Sequence, residues 1–189
     1  MTRKTLPLVL LSGLLVLASS TAADARDRAS DAGDSGAEAE TPATLVPFEL
    51  EDQFGEATTS GDLEGRPALV IAADGGGSDF TGPWSAELGE AIAELGLGDR
   101  VRILGLADLR SVPSFMRKRV RGTFSTDPSD ATLLDWSGVF AEAYGFEKRH
   151  CNLILFDADG AVAQQAAVQG LDDGVLDGFV TALGNLRRP

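Results

Sequence analysis

Ala68-Leu69-Val70-Ile71-Ala72-Ala73, followed by Asp74-Gly75-Gly76-Gly77-Ser78-Asp79-Phe80 and then Thr81-Gly82-Pro83-Trp84, is the stretch that decides the fold of this 189-residue chain. Six apolar residues without alternation describe a strand covered on both faces, as a central parallel strand is. A Gly-rich loop follows. Pro83 suits the first turn of a helix, where its missing N–H costs nothing. The spacing then predicts a helix over 83–95, with Ala86, Leu88, Ala91, Ile92 and Leu95 inward and Gly96 and Gly98 ending it. Val101, Ile103, Leu104 and Leu106 build a second central strand over 100–107. Strand, helix and parallel strand make one right-handed βαβ unit.

Working outward, Phe48 and Leu50 alternate with Glu49 and Glu51, a half-exposed strand. Asp52-Gln53-Phe54-Gly55 is turn chemistry, and 56–59 returns as a second strand. Beyond the βαβ unit, a helix is expected over 112–120, a loop over 123–132 and a short helix over 133–144. Asn152-Leu153-Ile154-Leu155-Phe156 is a third core strand. Asp157-Ala158-Asp159-Gly160 turns tightly into 161–168, a hairpin signal. Asp172 or Asp173 caps a last helix that carries Val175, Leu176, Phe179, Val180 and Leu183 inward. The order predicts an α/β three-layer sandwich over 45–189, a central mixed sheet flanked by helices with an N-terminal β-hairpin.

The formal charge is −13, so the surface repels phosphate backbones and excludes general nucleic-acid binding. One cysteine excludes an intramolecular disulfide and a Cys-rich zinc site. No metal and no cofactor is called for. Residues 1–25 have the pattern of a secretory signal: Arg3 and Lys4, an apolar core over 6–18, and small residues at Ser20-Thr21-Ala22 or Ala23-Asp24-Ala25. That core is well short of the ~20 residues a membrane span needs. No cysteine follows it to carry a lipid. Residues 26–44 have the composition of a disordered acidic spacer, with Asp27, Asp31, Asp34, Glu38 and Glu40. The expected product is periplasmic or secreted, without a membrane span once the signal is cleaved.

This order of elements resembles the thioredoxin-like superfamily, in its redoxin, AhpC/TSA and TlpA-like branch. The carrying residues are Phe48-Glu49-Leu50-Glu51-Asp52-Gln53-Phe54-Gly55, Leu63-Glu64-Gly65-Arg66-Pro67 before the apolar strand, Tyr144-Gly145-Phe146, and Leu153-Ile154-Leu155-Phe156-Asp157-Ala158-Asp159-Gly160. The resemblance implies a redox Cys-Gly-Pro-Cys at the strand–helix junction and a cis-proline facing it. Here Thr81 and Trp84 frame Gly82-Pro83 in place of the two cysteines, and Cys151 falls at the cis-proline position. Dithiol–disulfide exchange needs an attacking and a resolving cysteine, so this junction cannot perform it. A narrower resemblance, to periplasmic YtfJ-like proteins that also lack the pair, rests on Val112-Pro113, Phe115, Arg117, Asp135-Trp136-Ser137 and Phe140. The Cys-x-x-x-Cys of copper-carrying SCO relatives is absent.

The candidate binding residues are Thr81, Gly82, Pro83, Trp84, His150, Cys151, Arg117 and Arg121. Thr81 reads as a stand-in for a peroxidatic position or, more plainly, as an N-cap. Trp84 either lines a ligand groove or packs on the sheet. Cys151, the one candidate for catalysis, is a buried structural thiol or a reactive one activated by His150, Lys148 and Arg149. Arg117-Lys118-Arg119 with Arg121 is a solvated helix face or a docking site for an acidic partner or the acidic spacer. Gly75-Gly76-Gly77-Ser78 lacks the Lys of a phosphate-binding loop. Asp157-x-Asp159-Gly160 lacks the remaining ligands of a calcium loop. The expected role is non-catalytic binding of a protein or peptide in the envelope, through the old substrate groove near Trp84 and Cys151. The alternative is a one-cysteine peroxidase or mixed-disulfide oxidoreductase using Cys151. A third reading is an accessory of an envelope complex that docks by the basic cluster.

Overall fold

Ala68–Ala73 (β3) is the spine of a five-stranded sheet, and all six of its residues are buried. The computed structural model describes residues 44–186. The signal over 1–25 and all of the spacer except Thr44 lie outside the described residues. β3 pairs in parallel with Arg102–Asp108 (β4), from Ala68↔Arg102 to Ala73↔Ala107. On its other side it pairs antiparallel with Cys151–Phe156 (β6), from Ala68↔Phe156 to Ala73↔Cys151. Thr132–Asp135 (β5) adds in parallel outside β4, and Val162–Val168 (β7) adds antiparallel outside β6, giving the order β5-β4-β3-β6-β7. Two paired neighbours and two covered faces explain the unbroken apolar run of β3.

Alternation along β3 divides the core into two layers. Leu69 and Ile71 face Trp84, Leu88 and Ile92 of Thr81–Glu94 (α1) and Phe179 and Leu183 of Asp173–Asn185 (α4). Ala68, Val70 and Ala72 face Phe48, Phe140, Tyr144 and Phe156. These four aromatics form a chain with centroids 5.0, 5.6 and 5.5 Å apart. The Tyr144 hydroxyl donates to the Thr44 carbonyl at 3.0 Å and accepts from the Val46 amide at 2.8 Å. Thr44, expected as the last residue of the spacer, is therefore already held by the fold, and it bridges to Ala161 as well.

Acidic side chains make the turns. Asp52 Oδ1 accepts from the amides of Phe54 and Glu56 at 2.8 and 2.9 Å, closing the hairpin of Glu49–Glu51 (β1) and Ala57–Thr59 (β2). Asp157 Oδ1 does the same for Asp159 and Ala161 between β6 and β7. Of the two cap candidates, Asp172 is the N-cap of α4, accepting from the Val175 amide at 2.9 Å.

The expected helix over 133–144 is corrected. Leu133 and Leu134 point to opposite faces of a strand and both are buried, so β5 completes the sheet edge. The helix is only Val139–Ala143 (α3). The fully buried Asp135 separates the two, its carboxylate accepting from the Ser137 hydroxyl and the Gly138, Val139 and Phe140 amides at 2.7 to 3.1 Å. Gly138 takes φ +80°, where an L side chain is strained and would also meet Arg110. The helix expected over 112–120 shortens to a 3₁₀ turn, Ser114–Met116, running into Arg117–Arg121 (α2).

Candidate functional site

At the strand–helix junction, a 3₁₀ turn over Ser78–Phe80 runs directly into α1. Thr81 is the first residue of α1, and its hydroxyl donates to the Ser78 carbonyl at 2.8 Å. It accepts no helix amide, so the N-cap reading of Thr81 is corrected: the 3₁₀ turn takes the place of a cap. Gly82 and Pro83 are exposed on the first turn. Trp84 is 0% exposed, and its indole N–H donates to the Gly170 carbonyl at 2.9 Å. The groove-lining role expected for Trp84 is corrected: its ring fills the layer between α1, α4 and the sheet.

Cys151 opens β6 between Ala73 and Val168 and is 0% exposed. Burial, with no charge to offset it, pushes its thiol up to about 12. A reactive cysteine needs a partly exposed, electropositive setting, and this one has neither. His150 points away from it, with Nδ1 2.9 Å from the Lys148 carbonyl oxygen and Nε2 3.5 Å from Glu147 Oε2. The Cys151 catalytic and binding assignments and the activating role of His150 are therefore corrected by geometry: the thiol is sealed at the start of β6, while His150 lies in the preceding loop with its ring nitrogens against Lys148 and Glu147.

The loops around this position are bound to each other. Asp74 Oδ1 accepts from the Gly76 and Gly77 amides at 3.0 and 2.9 Å and from the Arg149 amide at 3.1 Å. Arg149 takes φ +62°, in the left-handed region. Asn152 holds the other side of this loop, accepting from the Glu147 amide and donating to the Glu147 and His150 carbonyls. Any side chain at Gly77 would run into the His150 carbonyl. The glycine amides that could cradle an anion are thus spent on Asp74.

Arg117 and Arg121 stand elsewhere, and they do share a site. A groove of about 650 Å³ lies between β1 and α2. Leu50, Leu134 and Trp136 line it together with Glu49, Glu51, Arg117, Lys118, Arg121 and Ser137. The Arg117 guanidinium lies 5.2 Å from the centre of the Trp136 ring, within cation–π reach. Arg121 Nη2 meets Glu51 Oε2 at 3.1 Å. Phe115, in the turn leading into α2, is 82% exposed. The groove residues that sequence reasoning missed are Trp136, Leu50 and Glu51. The basic run Arg117-Lys118-Arg119 with Arg121 is the sequence signal that points there.

A smaller polar crevice is lined by Asp74, Asp108, Arg110, Ser111 and Lys148. Burial raises the Asp108 carboxyl above its ordinary range, against the opposing pull of the Arg110 amide and of its guanidinium at 3.2 Å. Among the described residues, no group of three or more His, Cys, Asp and Glu side chains is placed to hold a metal ion.

No family model matches the chain, and no curated protein matches it in sequence. Solved structures do match. The pneumococcal exposed lipoprotein thioredoxin Etrx1 of Streptococcus pneumoniae superposes with a TM-score of 0.53 at 18% identity, over 74% of this chain and 99% of its own. Peroxidoxin BcpB of Mycobacterium tuberculosis gives 0.52 at 20% identity, over 78% and 98%. A SCO1/SenC family lipoprotein of Bacillus anthracis gives 0.50 at 13% identity, over 77% and 95%. At these identities the likeness is one of fold. The fold is thioredoxin-like, and the redox cysteine pair is absent.

Proposed function

We propose that this thioredoxin-like chain works without redox chemistry, as a cell-envelope protein that binds a protein or peptide partner. The observation that carries the reading is the burial of Cys151. Burial with no offsetting charge holds that thiol in its protonated form at neutral pH. Both peroxide reduction and mixed-disulfide formation require the thiolate. Thr81 and Trp84, in place of the redox pair, support the same reading. The groove at Arg117, Arg121 and Trp136 supplies an open surface with an aromatic and arginines, residue types that anchor protein contacts. The envelope location is supported by the leader pattern over 1–25, and the lipoprotein character of Etrx1 and the SCO1/SenC relative points the same way.

Disulfide-reduction and hydrogen-peroxide-consumption assays on the whole protein, beside Cys151→Ala and Cys151→Ser, test the reading. All three are expected at the rate of the buffer blank. Turnover by the wild type that both folded variants lose would overturn it. Fractionation tests the location: a shortened protein in the envelope or medium is expected, and a full-length cytoplasmic one contradicts it.

A further inference from the structure

We propose that the groove between β1 and α2 docks an extended, carboxylate-rich segment of a partner protein, with one apolar side chain of that segment set against Trp136. The proposal rests on the non-catalytic reading and names the chemistry of the partner. It starts from a local inversion of charge. The chain carries −13 overall, yet four of the five residues of α2 are cations: Arg117, Lys118, Arg119 and Arg121. A basic patch on an acidic protein guides carboxylates to one place and repels them elsewhere.

The cations are not equivalent. Arg121 is already paired with Glu51 at 3.1 Å, which fixes α2 against β1 and forms one wall. Arg117 is stacked over Trp136, so its planar fork is held in place before any carboxylate arrives. Lys118 lines the groove and makes no ion pair among the described residues. Arg117 and Lys118 are therefore the two charges on offer, beside an apolar floor of Leu50 and Trp136. That combination of depth, floor and two cations suits an extended segment. A flat anionic bilayer would not reach the floor, and its extended surface would face the net negative charge of the whole chain.

Fluorescence anisotropy on the whole protein tests this, using a fluorescein-labelled peptide of alternating Glu and Ala with one central Leu. Saturable binding is expected, weaker at higher salt and absent for the Lys-for-Glu peptide. Arg117→Glu with Lys118→Glu should weaken it by about tenfold or more. Trp136→Ala should weaken it about as much, with the melting temperature of each variant confirming the fold. A peptide that does not bind, or binds equally well to the charge-reversed protein, overturns the proposal and leaves the non-redox reading standing. Binding to phosphatidylglycerol vesicles but not to the peptide overturns it in favour of a lipid surface. Affinity that rises about tenfold when Asp27, Asp31, Asp34, Glu38 and Glu40 become Asn or Gln overturns it in favour of the chain's own acidic stretch. Redox turnover through Cys151 would sink the non-catalytic reading instead, whatever the peptide does.

Discussion

Trp84 and Trp136 are used in opposite ways. Trp84, in the first turn of α1, is wholly enclosed, its one polar atom spent on the Gly170 carbonyl. Cys151 shares that sealed layer. Trp136 follows the edge strand β5, remains partly exposed, and has the Arg117 guanidinium over its ring. The comparison teaches that two neighbouring regions of one fold are built on different principles. At the junction of β3 and α1, packing is complete. At the β1–α2 groove, packing has been left incomplete and charge has been concentrated.

The comparison breaks most easily at the tryptophans. Trp84→Ala should cost about 3–5 kcal/mol, because it opens a cavity in the core and strands the Gly170 carbonyl. Trp136→Ala should cost clearly less, about 1–2 kcal/mol, since the ring is half-buried and loses one cation–π contact. Urea unfolding of the two variants measures both, and similar costs would erase the distinction between sealed and open regions.

The next effect is an alkaline pH dependence contributed by the sealed side. Burial pushes the Cys151 thiol above the ordinary thiol range, up to about 12. The unfolded chain therefore releases this proton first. The stability contribution is fully present below pH 9 and is lost as pH rises towards 12, at about 1.4 kcal/mol per pH unit. Cys151→Ala should flatten that slope relative to the wild type. An unchanged slope would mean that the thiol is solvated in the native state.

The smallest effect on stability belongs to the groove. Lys118→Glu should leave the unfolding free energy within about 0.5 kcal/mol, since Lys118 is exposed and unpaired among the described residues. The same substitution contributes to the loss of peptide binding. A larger destabilisation would make α2 structural rather than receptive.

How much of this was legible in the sequence follows from how local each feature is. β3 announced itself because burial on both faces leaves an uninterrupted apolar run. The two acid-closed hairpin turns were equally plain, since each is decided within a few residues. β5 was not, because four residues are too few to establish a period, and Leu133 shares its segment with Phe140 and Tyr144, which do belong near a helix. Its strand character depends on register with β4, some 27 residues earlier. The burial of Cys151 depends on Ala73 and Val168 arriving from either side. Arg117 and Arg121 were recognisable as a basic cluster. The groove was not, because Glu51 lies 70 residues from Arg121 and no spacing rule connects them.

The central claim is that the position of the old redox site is closed to chemistry, and the alkylation rate of Cys151 in the folded protein tests it most directly. With a thiol-specific reagent across pH 6 to 10, labelling is expected to be negligible under native conditions and complete once denaturant unfolds the chain. Rapid native labelling, with a pH profile placing the thiolate below the free value of ~8.5, would contradict the account and return Cys151 to the list of catalytic candidates.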